Sequence, residues 1–208
     1  MQINKELILL AQRIRALSQT GLTYSLNAYD TERYTELVQI SDTLLALTTA
    51  HEVEDISRLY LQEKEYVTPK VDIRAVVFNE KGEVLLVQEK ADGCWSLPGG
   101  WSDVGFSPSE VAVKEVKEET GLDVRADRLL AVMDMAKQPH PPIPFYVYKF
   151  FILCEPVGGS FTEAFDILDK GFFCVENLPS LSLERVLPEQ IKEMYARYQN
   201  PDIPVYLD

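Results

Sequence analysis

Three glutamates, Glu115, Glu118 and Glu119, occur at i, i+3 and i+4 in the run Lys114-Glu-Val-Lys-Glu-Glu-Thr-Gly121-Leu122. On a helix, at about 100° per residue, they share one face. Three like charges so placed repel one another, and a divalent cation turns that repulsion into attraction. Hard carboxylate oxygens with room for water suit Mg²⁺ or Mn²⁺ better than zinc. Three glutamates alone also describe an ordinary solvated face. The distinguishing feature is the Pro98-Gly99-Gly100 turn upstream, where glycines let the backbone approach a ligand or ion closely.

The elements that must hold these groups are legible around them. Ser107 is suited to an N-cap, Pro108 to the first helical position, Glu110 to a capping box and Gly121 to the C-cap. A helix over 108–120 is predicted, with Ala112, Val113, Val116 and Thr120 on a side suited to a sheet. Runs at 71–78 and 84–87, joined by Asn79-Glu80-Lys81-Gly82-Glu83, read as a hairpin. Strands are also predicted at 130–133 and 145–153, and a last helix at 188–198. This mixture without regular βαβ repetition points to an α+β or layered α/β/α domain.

Residues 1–66 differ, with one glycine, no proline and helical periodicity. Ile3, Leu7, Leu10, Ile14 and Leu17 form one stripe, and Gly21 is a plausible stop. Asp30 or Thr31 is placed to cap a second helix burying Tyr34, Leu37, Val38, Leu44 and Leu45. A third spans 52–65, with Val53, Ile56, Leu59 and Tyr60 as its apolar face. Three such helices cannot bury every stripe alone, so packing on the rest of the chain or on a second copy is expected. The boundary is placed near Thr68-Pro69, giving a helical region at 1–66 and a second domain at 67–208.

The formal net charge of −13 argues against a duplex-DNA surface, and the acidic third helix argues against a DNA-reading helix. It leaves room for one diphosphate, because a few local cations and bound metal outweigh the global sign. Cys94, Cys154 and Cys174 are too few and scattered for a disulfide framework or zinc site. No run approaches the roughly 20 apolar residues of a membrane span, and no signal-peptide cleavage signature is present. A cytoplasmic protein is expected.

The segment resembles the Nudix hydrolase signature: Gly, five residues, Glu, seven residues, Arg-Glu, an aliphatic residue, any residue, Glu-Glu, any residue, Gly and an aliphatic residue. Counting from Gly100 delivers Lys114 to Leu122 in register, and Trp95 to Gly99 also looks like the family. The resemblance covers roughly 71–179. It implies a Nudix-type α/β/α sandwich with a mixed sheet, here behind a small all-helical domain. Phe106 and Lys114 stand where the family usually has Glu and Arg, two residues thought to brace the loop on the helix. Losing both together suggests an exchanged brace.

By this resemblance Glu115, Glu118 and Glu119 are the catalytic and metal residues, with the Gly99 or Gly100 carbonyl a further ligand, for Mg²⁺ or Mn²⁺. The base is one of these glutamates or a later acid among Glu163, Asp166 and Asp169. Arg74 reads either as a phosphate clamp or as an edge ion pair. Lys90, Trp101 and Asp103 flank the Gly-rich loop and are candidate substrate contacts. His140, in a proline-rich loop, is another, or else merely faces solvent. The helical extension and the Gly-Trp-Ser-Asp-Val-Gly loop resemble bacterial ADP-ribose pyrophosphatase-type and CDP-choline pyrophosphatase-type members. The resemblance implies hydrolysis of a small nucleoside diphosphate derivative, while the unburied helical stripes suggest a homodimer through or with help from the N-terminal helices. Alternatives are action on RNA ends, which the acidic balance disfavours, and a catalytically silent nucleotide sensor.

Overall fold

Lys70–Val77 and Val147–Gly159 run parallel, strands β1 and β6, and organise the larger part of the chain. The structure is a computed structural model that describes residues 2–49, 52–60 and 66–208. The chain divides into two units, Met1–Pro69 with Pro142–Tyr146, and Lys70–Pro141 with Val147–Asp208.

In the second unit a five-stranded sheet has the order β4-β1-β6-β5-β8, with β4 at Gly99–Trp101, β5 at Leu122–Asp134 and β8 at Tyr206–Leu207. A three-stranded sheet joins β3 (Trp95–Ser96), β2 (Val84–Glu89) and β7 (Ile167–Phe173). Alternation along β1 sorts its side chains into two cores. Ile73, Ala75 and Val77 pack with Val111, Ala112 and Val116 of helix α4 (Pro108–Thr120). Val76 and Phe78 pack with Phe151, Leu130, and Ile191 and Met194 of helix α5 (Pro188–Gln199). The result is an α+β fold with helices on both sides of a mixed five-stranded sheet and an antiparallel three-stranded one. Each fully buried Val or Leu contributes roughly 1.5–3 kcal/mol.

Helix α4 has the predicted bounds because its ends are chemically specified. Ser107 N–H donates to Glu110 Oε2 at 2.8 Å, the Glu110 N–H donates back to Ser107 Oγ, and Gly121 takes a left-handed φ of 85°. A side chain at Gly121 would also meet the Ser160 carbonyl oxygen at 2.5 Å. Elsewhere the strands extend beyond their apolar cores. The run at 130–133 is only the buried middle of β5, which continues through Asp123, Arg125 and Arg128 by pairing with β6 and accommodates register shifts. The strand expected from 145 begins at Val147, and Phe145 instead sets its ring edge-on to Tyr60 at 5.9 Å.

The first unit contains α1 (Gln2–Tyr24), α2 (Ala28–Thr48) and α3 (Val53–Tyr60). Its buried apolar core is small, Ile8, Ala11, Leu45 and Ile56. Beside it Arg15 Nε lies 3.2 Å from Asp42, Ser57 Oγ donates to Asp42, and the Arg15 guanidinium sits 4.0 Å over the Tyr60 ring. Gln12 Nε2 and Tyr60 OH donate to the Ile143 and Pro144 carbonyls, which holds the proline-rich segment to this unit.

Several helical expectations are corrected. Gly21 does not end α1; the bare Cα admits the Tyr34 ring while the helix continues to Tyr24. The cap of α2 is Asn27, whose side chain accepts from Asp30 N–H at 2.8 Å, so Asp30 and Thr31 lie inside the helix. Leu7, Leu10 and Leu17 of the predicted stripe are exposed, as are Leu37, Val53 and Leu59. The line turned inward on α1 runs through Ile8, Ala11, Gln12, Arg15 and Ser18, where hydrogen bonds and an ion pair replace apolar contact. The Ile3 side chain and residues 61–65, where the third helix was expected to continue, lie outside the described residues. Among the described residues no helix is long and apolar enough to cross a membrane.

Candidate active site

Glu119 lies near the end of α4, where the helix meets the β1–β4 pair, and its carboxylate is drawn inside. The residue is 7% exposed, and Gly99 N–H donates to its Oε2 at 3.1 Å. Gly99 makes that approach possible. It adopts a φ of 143°, and an added Cβ would stand 2.0 Å from the Ile73 carbonyl oxygen. Gly100 next to it lies against Glu115, whose Oε1 is 3.5 Å from the position a Cβ would take. The two glycines, which form the start of β4, and the first and last helix acids are therefore brought together.

Glu118 faces another way. Its side chain is 58% exposed and accepts from Lys114 Nζ at 2.9 Å. Lys114 also lies 3.6 Å from Asp103 and 4.0 Å from Glu115, while Phe106 is exposed. The loop is thus tied to the helix through Asp103 and Lys114 instead of through position 106. Asp103, a candidate substrate contact in the sequence, is a partner in this brace.

Arg74 makes the ion pair foreseen as one of its readings, but inside the sheet and not at an edge. It is 5% exposed, with Nε and Nη2 on Asp72 and Nη1 on Ser96 Oγ and the Leu97 carbonyl. Lys149 pairs with the same Asp72 from β6. The three form a buried network behind the site, and Arg74 acts on the acids through its field. Burial tends to raise the Asp72 pKa, but Arg74 and Lys149 outweigh it and hold the carboxyl below its usual range. Burial depresses Lys149 to about 8 despite Asp72.

The acids themselves are short of positive charge. Burial pushes Glu119 up to about 8, with Glu115 and Glu89 adding to the rise and Arg74 and the Gly99 N–H opposing it. Burial also raises Glu115, against Lys114, and raises Glu89, against Arg185 and Arg74. Glu89 was not singled out in the sequence. At the end of β2 it resembles any strand-terminal acid, and only its burial beside Arg74 and Glu119 distinguishes it.

Among the described residues no three His, Cys, Asp or Glu side chains already stand together as a metal cage, in keeping with Glu118 turned to Lys114. The donor chemistry nevertheless fits a hard dication. Glu119 and Glu115 are carboxylates disfavoured as anions where they stand, in an oxygen-only setting beside a glycine backbone.

The remaining candidates scatter. Lys90 donates its N–H to the Asp166 carbonyl and sets its ammonium 5.6 Å from the Phe165 ring, in an exposed loop. Asp166 feels Glu89 electrostatically. Glu163 and Asp169 are exposed, and among the described residues no hydrogen bond or ion pair joins them to α4. Trp101 is half-exposed on β4, opposite Asp72. His140 is a correction to both its readings. It is 5% exposed, with Nδ1 2.6 Å from the Leu183 carbonyl and Nε2 3.0 Å from Gln190 Nε2, so it neither faces solvent nor awaits a phosphate.

Known proteins agree with this geometry. A family profile described as NUDIX domain matches residues 68–197, and one described as UDP-X-like, N-terminal oligomerisation domain matches residues 5–60. The putative ADP-ribose pyrophosphatase YjhB of Bacillus subtilis (strain 168) is 43% identical over 198 residues, 95% of each chain. The crystal structure of a UDP-X diphosphatase is 33% identical, with 99% of each chain covered and a TM-score of 0.64. That of an ADP-ribose pyrophosphatase from Streptococcus suis 89-1591 is 43% identical, covering 68% of this chain and 100% of that one, with a TM-score of 0.62. The chain belongs to the Nudix family and is a Nudix pyrophosphohydrolase.

Proposed function

We propose that this Nudix enzyme hydrolyses the diphosphate of a small nucleoside diphosphate derivative, with ADP-ribose, CDP-choline and UDP-linked sugars as the candidate substrates. The products are a nucleoside monophosphate and a phosphorylated second moiety. The observation that carries the reading is the buried Glu119, held by the Gly99 N–H beside Glu115 in a setting deficient in positive charge. ADP-ribose and a UDP-linked compound are favoured by the names of the relatives that align along nearly the whole chain.

In this reading Glu119 and Glu115 hold Mg²⁺ or Mn²⁺, joined by Glu118 once it leaves Lys114. The bound ion neutralises the diphosphate and lowers the pKa of water. The protein's own part is positional. The Gly99 N–H and the pairing of β4 with β1 set the Glu119 carboxylate, Arg74 keeps the buried acids from accumulating too much negative charge, and Lys114 fastens the loop to the helix. Attack of water on one phosphorus breaks one P–O bond of the anhydride, and the water's proton passes to a carboxylate of α4. The helix acids are preferred to Glu163 and Asp169, which no hydrogen bond or ion pair links to α4 among the described residues.

The helical unit is read as the homodimer contact, supported by its exposed Leu7, Leu10, Leu17 and Ile40 and by the description of the matching profile. A cytoplasmic location accords with the unpaired Cys94, Cys154 and Cys174.

The test is product release from ADP-ribose, CDP-choline, UDP-glucose and a short 5′-triphosphorylated RNA, with and without Mg²⁺ or Mn²⁺. Metal-dependent cleavage of a small compound, lost in Glu115→Gln and Glu119→Gln, is the expected result. Cleavage of the RNA alone would replace the substrate class. Metal binding by the folded protein without turnover of any compound would make the chain a sensor.

A further inference from the structure

Three cations lie in the electrostatic neighbourhood of the buried acids, and two of them are committed. Arg74 is buried and spends its donors on Asp72, Ser96 and the Leu97 carbonyl, and Lys114 is held by Glu118 and Asp103. The third is Arg185, in the segment between β7 and α5, in a stretch whose sequence gives no sign of function. Its side chain is 27% exposed, and two carboxylates orient it. Nε lies 3.1 Å from Glu89 Oε1, and Nη1 lies 3.2 Å from Asp92 Oδ2 and 2.9 Å from Ser182 Oγ. Ser182 Oγ donates in turn to Asp92 at 2.6 Å, which fixes that anchor. Nη2 donates no hydrogen bond among the described residues. Glu89, which Arg185 touches, in turn interacts electrostatically with Glu119 and Arg74.

We propose that Arg185 is the phosphate clamp of this enzyme, its Nη2 edge hydrogen-bonding a non-bridging oxygen of the substrate's diphosphate. A guanidinium held by two carboxylates loses little freedom on meeting a ligand and keeps its planar fork aimed. Glu89 and Asp92 are the positioning residues for it. The assignment rests on the hydrolase reading above, and it gives Arg185 the part that Arg74 is too deeply buried to play.

The experiment compares wild type, Arg185→Lys and Arg185→Gln in steady-state hydrolysis of ADP-ribose, CDP-choline and UDP-glucose. Calorimetric titration with inorganic pyrophosphate in EDTA runs alongside. Loss of one charge-assisted contact of this kind raises KM about ten- to a hundredfold, with kcat held within about threefold. Lysine restores only part of the loss, because it offers no planar fork. Thermal melting checks that each variant is folded, and Arg185→Lys carries the test should the glutamine variant fail to fold. An unchanged KM overturns the proposal, and so does a fall in kcat at constant KM, which would mean action through Glu89. If wild type cleaves none of the compounds, the hydrolase reading fails separately. The clamp is then judged by pyrophosphate, for which equal binding to wild type and Arg185→Lys overturns it.

Discussion

Glu119→Gln isolates the cost of keeping a carboxylate inside this fold. The amide oxygen can still accept the Gly99 N–H, and the side-chain volume is nearly unchanged, so the substitution removes charge with little else. The native group has its pKa raised from 4.5 to about 8, chiefly by burial. Folded protein therefore holds the proton more tightly than unfolded chain. The stability this contributes is full below pH 4.5 and is lost as pH rises to about 8. At 1.36 kcal/mol per pKa unit the whole loss is roughly 3–5 kcal/mol. Urea unfolding in EDTA at pH 5, 6.5 and 8 is expected to show the glutamine variant gaining on wild type by about this amount across the series. With saturating Mg²⁺ the order reverses, because only wild type gains binding energy from the ion. A stability difference that stays flat from pH 5 to 8 without metal would refute the claim that Glu119 is an electrostatically disfavoured anion awaiting a cation.

Gly99→Ala would place a Cβ 2.0 Å from the Ile73 carbonyl at a left-handed φ, so β4 must separate from β1. Loss of roughly 3 kcal/mol or more is expected, read as a fall in melting temperature together with loss of turnover. Asp72→Asn leaves Arg74 and Lys149 buried without their counter-charge and is expected to cost about 3–5 kcal/mol in denaturant unfolding; a change under 1 kcal/mol would show the network to be dispensable. Leu10→Glu with Leu17→Glu puts charge on an exposed apolar face of α1 without touching its core, and light scattering is expected to give half the wild-type mass. An unchanged mass would remove that face from the dimer contact.

What the sequence determined by itself is what short-range chemistry encodes. Ser107, Pro108, Glu110 and Gly121 specify both ends of α4, because caps act within a turn, and the spacing of Glu115, Glu118 and Glu119 follows from helical geometry alone. Glycines at 99 and 100 announced a close backbone approach, though not that Gly99 would meet Ile73 and donate to Glu119. The full lengths of β5 and β6 were hidden, since pairing between distant strands carries charged and proline-containing ends that no local pattern marks. Only tertiary structure separated three equivalent glutamates into one buried, one half-buried and one ion-paired at the surface. It alone drew Glu89 and Arg185 to the neighbourhood of that site, sent His140 inward and buried Arg74 against Asp72 and Lys149. Burial and charge proximity are sums over residues remote in the chain, and they decide which of several identical side chains is chemically distinct.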